Sequence, residues 1–288
     1  MKNRQRNAQI RTFCPQKKKS TLQKSVEIIL TVVAVAAFWI GLWLLLSFRV
    51  NSELLLPSPV SVCRRLFALI GTAALWKATG STIMRILIGY ISGIAAGTLL
   101  AALSAWSRHV SAFIAPVGRI IKATPVASFI ILALVWIPAN NIPSFIVFLL
   151  VTPIVWDSLR TALLSTDPDL LEMAKAYRFG RLRTVLHVYL PSSLGAYLSS
   201  ILTALGLAWK SGIAAEVLCL PKLSIGRQLY ESKIYLEMSD LFAWTTLVII
   251  LSVIMEALIR FSVTRFTRLN APRRNAKYAE LTEDGQHD

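Results

Sequence analysis

Acidic residues are scarce in this sequence: 15 Asp and Glu stand against 31 Lys and Arg, leaving a formal net charge of +16. Histidine and cysteine are rarer still, at 3 each. Cys14, Cys63 and Cys219 lie far apart with no CxxC spacing, which supports neither a zinc site nor a disulfide framework. His109, His187 and His287 are scattered and build no catalytic constellation. No GxxxxGK(S/T) phosphate loop occurs, so the chain is not its own ATPase by that route, and HExxH and GxSxG are missing too. An enzyme is therefore not expected, and neither is a cofactor or metal bound by this chain.

What the sequence does have is apolar residues, 55% of the 288, against roughly 45–50% in soluble domains. The excess is gathered into runs near or above the ~18 residues that mark a membrane span. In a bilayer only helices and closed barrels satisfy their backbone groups. Long apolar runs without period-2 alternation select helices. The expected fold class is all-α, a polytopic membrane protein of about six transmembrane helices. A charge this basic would suit nucleic acid in a soluble protein. Here Lys and Arg gather in tails and loops, where they face anionic cytoplasmic lipid and set orientation; the expected partner is membrane lipid, not nucleic acid.

The spans are expected at about residues 26–48, 81–103, 114–137, 144–164, 192–218 and 241–263. The first follows a basic stretch, as a secretory leader does. It is too long for the usual ~7–15-residue apolar core and no small-x-small cleavage site follows, so it reads as an uncleaved span. The domain plan is a basic cytoplasmic tail over 1–25, a transmembrane domain over 26–264 and a second cytoplasmic tail over 265–288, both tails disordered. Leu56-Pro57-Ser58-Pro59 is rigid, extended punctuation, followed by a short amphipathic helix over 60–70 at the outer interface. Gly89, Gly93 and Gly97 recur every four positions, a spacing that lets helices approach closely, within the chain or across a dimer. Pro125 interrupts the third span and kinks it beside Lys122. Residues 221–240 form an outer loop that turns at Gly226. With both tails inside, the tail clusters and Arg108, Arg160, Lys175, Arg178, Arg181 and Arg183 fall on the inner side, and the outer segments hold fewer basic residues.

Residues 165–191 are polar and basic, yet lie between two apolar runs. Asp167 and Asp169 sit where a helix N-cap and first turn would be, and Gly180 can break that helix. A second helix runs from about Arg181 until Leu190-Pro191 ends it and starts the fifth span. Two short charged helices meeting at a corner could dock on a cytoplasmic partner; a solvated loop with no partner would have the same composition. Arg85, Lys210 and Glu216 lie in or near apolar runs, where a charge is costly unless paired or facing a cavity. Lys210 and Glu216 are six apart, about 240° around a helix, so they are not simple same-face partners. These charges read either as pairs between helices or as groups lining a path. Arg85, Lys122 and Lys210 would suit a polar or anionic solute.

The segment EMAKAYRFGRLRTVLHVYLP, residues 172–191, resembles the EAA loop, the coupling signature of permease subunits in ATP-binding-cassette importers. Glu172, Ala174, Leu190 and Pro191 match that pattern in register. Met173 replaces the middle Ala, and Arg178 stands where the pattern has Gly, with Gly180 two residues later. Either Arg178 or Gly180 then makes the corner. Leu56-Pro57-Ser58-Pro59, Ser81-x-x-x-Arg85-x-x-x-Gly89-Tyr90, Ala123-Thr124-Pro125 and Ala208-Trp209-Lys210-x-Gly212-x-x-Ala215-Glu216 are similar to the nitrate/sulfonate/taurine-type branch of those permeases.

The resemblance implies a multi-pass protein of the bacterial plasma membrane that works as a homodimer with the path at the subunit interface. It implies two ATP-binding cassette subunits that use ATP and grip the corner, through Glu172, Ala174, Tyr177, Arg178, Gly180, Leu190 and Pro191. An extracytoplasmic substrate-binding protein would dock on the outer loops around Pro57 and Pro221. Arg85, Lys122, Pro125, Lys210 and Glu216 would line the path or brace it. An ion-coupled secondary transporter is the alternative. It would need acidic residues or broken helices at the bilayer midplane, and Glu216 is the one serious acidic candidate.

Overall fold

The computed structural model describes residues 21–270. The disorder expected of the tails therefore falls largely outside the described residues. Among those that are described, all regular secondary structure is helical. The chain divides into two compact units, Met1–Ser61 and Val62–Asp288. In the first, helix α1 (Thr21–Val50) contains Leu30–Val50, long and apolar enough to cross a membrane. The Ser47 hydroxyl donates to the Leu56 carbonyl (3.1 Å), which ties the end of α1 to the proline-bounded turn.

The rest of the chain runs through α2 (Pro59–Ile70), α3 (Ala73–Trp106), α4 (Arg108–Ala123), α5 (Val126–Ala133), α6 (Ile142–Leu164), α7 (Pro168–Ala176) and α8 (Arg181–Thr184). A π-turn (Val185–Tyr189) leads into α9 (Leu190–Cys219), followed by α10 (Ile225–Ile234) and α11 (Met238–Asn270).

The pairing of α3 with α6 organises this unit. A Cβ on Gly89 would lie 2.3 Å from the Ser144 carbonyl oxygen, one on Gly93 2.9 Å from Val151 Cβ, and one on Gly97 2.7 Å from the Thr152 carbonyl oxygen. The glycine face is thus spent on close packing within the chain, where any side chain would force the helices apart. Contacts that advance together along both helices mean that α3 and α6 run parallel. Ser144 Oγ donates to the Arg85 carbonyl (2.8 Å) towards one end of the pair, and Trp156 Nε1 donates to Ser104 Oγ (2.9 Å) towards the other.

Two parallel neighbours require a return crossing between them, and residues 107–141 supply it. The single kinked span expected there is instead two helices, α4 and α5, bent by 102°. The reason is local. Pro125 biases Thr124 out of the helical region, and both residues are extended, with ψ of 133° and 134°. Two extended residues in succession redirect a chain far more than the missing hydrogen bond of one proline. Counted as one broken crossing, α4 and α5 join five long apolar helices to make six among the described residues.

α9 runs antiparallel to α3, fixed by Tyr90 Oη donating to the Ile201 carbonyl (2.7 Å) and by a hydroxyl contact between Thr98 and Tyr197 (3.0 Å). Ile86, Tyr90, Val147, Val151, Leu205, Ala208 and Trp209 fill the core among α3, α6 and α9. Outward faces of α3 (Met84, Ile88, Ile91, Leu99) and α11 (Ile249, Val253, Ile254, Leu258) are apolar, as lipid contact requires. The segment expected as an outer loop turning at Gly226 contains a helix instead. Gly226 lies in the first turn of α10, whose N-cap Ser224 accepts from Arg227 N–H (3.1 Å).

Replacing Gly93 with leucine is expected to lower the thermal midpoint of the purified protein and broaden its size-exclusion peak, since overpacking costs about 1–3 kcal/mol. Gly80→Ala, at a position with nothing within 4 Å of an added Cβ, is the matched control and should leave the midpoint unchanged or slightly raised.

Candidate functional site: the α7 corner and the polar face of α9

Asp167 caps α7, its carboxylate accepting from Asp169 N–H (3.0 Å), and Pro168 occupies the first turn, where a missing N–H costs nothing. The helix stops in a Schellman motif: Arg178 N–H donates to the Lys175 carbonyl and Phe179 N–H to the Ala174 carbonyl, both at 2.9 Å. The left-handed residue of that motif is Arg178, with φ of 50°. Gly180 does not break the helix, which corrects the sequence reading. Its φ is not positive and an added Cβ would meet nothing within 4 Å. Its carbonyl accepts from Thr184 N–H (3.0 Å) and so opens α8. Arg178 thus stands at the position where the resembled pattern has glycine, and its backbone adopts the conformation glycine favours.

Leu190-Pro191 does not end a helix, contrary to expectation. α8, the π-turn and α9 are continuous, with Leu190 N–H reaching back to the Val185 carbonyl. The wide turn sits just before Pro191, whose ring has no N–H to place in an ordinary ladder. The second arm of the corner is therefore the base of α9 itself. Ala174 is buried, while Glu172, Met173, Tyr177, Arg178, Gly180, Leu190 and Pro191 are exposed. The rings of Tyr177, Phe179 and His187 follow one another at 6.4 and 6.3 Å between centroids, bracing the turn against the π segment.

Behind the corner lies a polar cleft of about 640 Å³, whose lining includes Lys122, Asp157, Thr161, Thr166, Ser192 and Ala196. Lys122 Nζ is 2.6 Å from Asp157 Oδ2. Both side chains are half-exposed, so the pair contributes no more than about 1 kcal/mol. Asp157 went unnoticed in the sequence because its partner is 35 residues away. Pro125 is exposed at the bend between α4 and α5. From Ser192 and Ala196 at the cleft, one face of α9 runs on through Ser199, Thr203, Leu207, Lys210 and Ala214, all exposed at three- and four-residue spacing.

At the opposite end Glu216 is fully buried. Its Oε2 accepts from Thr82 Oγ1 (2.8 Å) and from Gly226 N–H (3.2 Å), and its Oε1 from Arg85 Nη1 (3.2 Å). Arg85 also donates to the carbonyls of Leu223 (3.3 Å) and Lys222 (2.6 Å). Thr82 Oγ1 accepts in turn from Ile225 N–H (3.1 Å). Gly226 permits this closeness, since a Cβ there would lie 2.4 Å from Glu216 Cβ. Arg85 and Glu216 are paired with one another, and their contacts join α3 and α9 to the start of α10. Thr82 and the α10 N-terminus escaped sequence reasoning because they meet Glu216 only in three dimensions; the N-cap Ser224 was the available signal. Nearby, Arg65 pairs with Asp240 through two guanidinium nitrogens, one at 2.8 Å. That hydrogen bond holds the arginine above its usual pKa.

Glu216→Ala would leave the Arg85 charge and two donors without their acceptor. Breaking a buried pair costs about 3–5 kcal/mol. The expected outcome is a lower melting temperature and faster protease cleavage within residues 220–237, with Glu216→Gln intermediate.

A family model described as "Binding-protein-dependent transport system inner membrane component" matches residues 93–275. A probable ABC transporter permease protein of Haemophilus influenzae is 31% identical over 165 residues, 56% of this chain and 65% of that one. A similarly named protein of Brucella melitensis is 25% identical over 235 residues, 81% and 94%. The taurine transport system permease protein TauC of Escherichia coli is 20% identical over 249 residues, 84% and 90%. Among solved structures, an amino acid ABC transporter aligns with a TM-score of 0.54 at 15% identity, covering 68% of this chain and 92% of its own, which supports the fold. With the family model matching well over half of its length, this chain belongs to the binding-protein-dependent transport system inner membrane components.

Proposed function

We propose that this chain is the membrane-spanning permease subunit of an ATP-driven ABC importer. Two copies enclose a path between their α9 faces for a small polar or anionic solute, delivered by an external binding protein. The observation that carries this reading is mechanical: an exposed, Schellman-capped corner runs without a break into the helix that carries the polar face. Displacement of Tyr177, Arg178 or Gly180 by a gripping partner moves α9 as a lever. Because α7 also hangs from the end of α6 through Ser165, Thr166 and Asp167, the same push reaches the α3–α6 pair.

The positive-inside bias supports a cytoplasmic corner, within reach of two ATPase subunits that bind and hydrolyse ATP. The binding protein docks at the other end, on the surface built by α2, residues 220–237 and α10. ATP closes the ATPase pair and opens the path outward; hydrolysis reopens it inward. Permeases named for taurine, aliphatic sulfonates and nitrate are among the relatives, which supports a sulfonate-, taurine- or nitrate-like solute, with thiamine-precursor-like pyrimidines as the remaining class. Ion coupling through Glu216 is disfavoured, because both of its oxygens are already engaged inside the protein.

The transporter reconstituted in proteoliposomes with its ATPase and binding protein tests this. Import should require ATP; import that ran without ATP and collapsed with the proton gradient would sink the reading. Arg178→Val places a β-branched residue, for which positive φ is a genuine outlier, at the left-handed position, and should lower import per ATP hydrolysed. Arg178→Gly relaxes the turn and should retain coupling if the corner needs only its shape. Gly180→Ala, in open space, should leave coupling intact.

A further inference from the structure

Three cations stood out in the sequence as suited to a polar or anionic solute, and the structure separates them. Arg85 gives its guanidinium to Glu216 and two carbonyls. Lys122 is paired with Asp157. Lys210 takes part in no hydrogen bond or ion pair among the described residues, and it is exposed. It lies well inside α9, about 27 Å along the helix from Ser192 at the cleft and about 9 Å from Glu216. A lone ammonium at such depth is costly against lipid. The neighbours on its face are mostly small or polar, Ser199 and Thr203 below it and Ala214 above, with Leu207 a large apolar residue among them. Outward faces of α3 and α11 carry Ile, Leu, Met and Val at comparable positions. A charge without a counter-ion on a polar face that opens into an aqueous cleft is a charge held for a passing partner of opposite sign.

We propose that Lys210 is the anion-selecting residue of the path, and that the solute crosses this level as an anion, an oxyanion such as a sulfonate, carboxylate or nitrate-like group. This rests on the reading of the α9 face as the path. Two copies facing one another would set two ammonium groups across one passage. A water-filled passage walled by low dielectric focuses such a field, so that local anion concentration rises and cations are turned back. Arg85 cannot substitute, because its donors are already used.

The electrostatic potential can be read without knowing the solute. Single cysteines at Thr203 and Ala214 are introduced into the full transporter, with reactivity counted over the protein lacking them. They are labelled with anionic sulfonatoethyl and cationic trimethylammonioethyl methanethiosulfonate. Both positions should react, with the anionic reagent favoured relative to its rate on free cysteine. Lys210→Gln should cut that preference by about tenfold or more, and Lys210→Arg should restore it. If neither position reacts with either reagent, the α9 face does not line water, and the path reading fails together with the proposal. If both react but the anion preference is the same in Lys210→Gln, the path reading survives and the selecting role of Lys210 is refuted.

Discussion

The close parallel contact of α3 with α6 is the constraint on which the rest of the membrane unit depends. Three glycines bring the two backbones so near that a single methyl group would clash. Because the pair is parallel, the chain between them must recross the layer, and the break at Pro125 shapes how it does so. Because the pair is tight, α9 packs against both of its helices at once. Tyr90, Thr98 and Gly212 seat that helix along its length. The position of α9 then decides which of its residues are buried and which face outward, and so where any passage can run.

The two ends of α9 are held in different ways. At one end, buried polar groups lock it: Glu216 gathers Thr82, Arg85 and the α10 N-terminus into one network, with both carboxylate oxygens engaged. At the other, α9 begins from the wide π-turn, beside an exposed corner closed by the backbone bonds of a Schellman motif and braced by the rings of Tyr177, Phe179 and His187. A helix fixed at one end by charge and free at the other suits a part that is pushed from the free end. The π-turn lets Pro191 sit inside the continuous helix, so no hinge separates α8 from α9.

Much of this was legible in the sequence, and the misses share a cause. Apolar runs, glycine spacing and the basic segment each depend on residues near in sequence, and each announced its element. The choice between Arg178 and Gly180 for the corner is not legible in the sequence, because glycine favours left-handed backbone in general, whereas the local bonding of α7 places that conformation on Arg178. The break at Pro125 was underestimated because proline sets one angle, while the bend takes two consecutive extended residues. α10 is hard to tell from a loop in sequence because its helix is short and polar and its first turn is held by Glu216, a residue outside it.

By itself the sequence determined that the chain crosses a membrane as helices, which bilayer physics demands of its apolar runs, and that a charged segment joins two of those helices. It also placed Arg85, Lys122 and Lys210 in surroundings where charge is expensive. Only the tertiary structure decided what became of each. Ion pairs form between residues distant in the chain and near in space. Folding therefore gave Glu216 to Arg85 and Asp157 to Lys122, and left Lys210 on the polar face of α9 without a partner among the described residues.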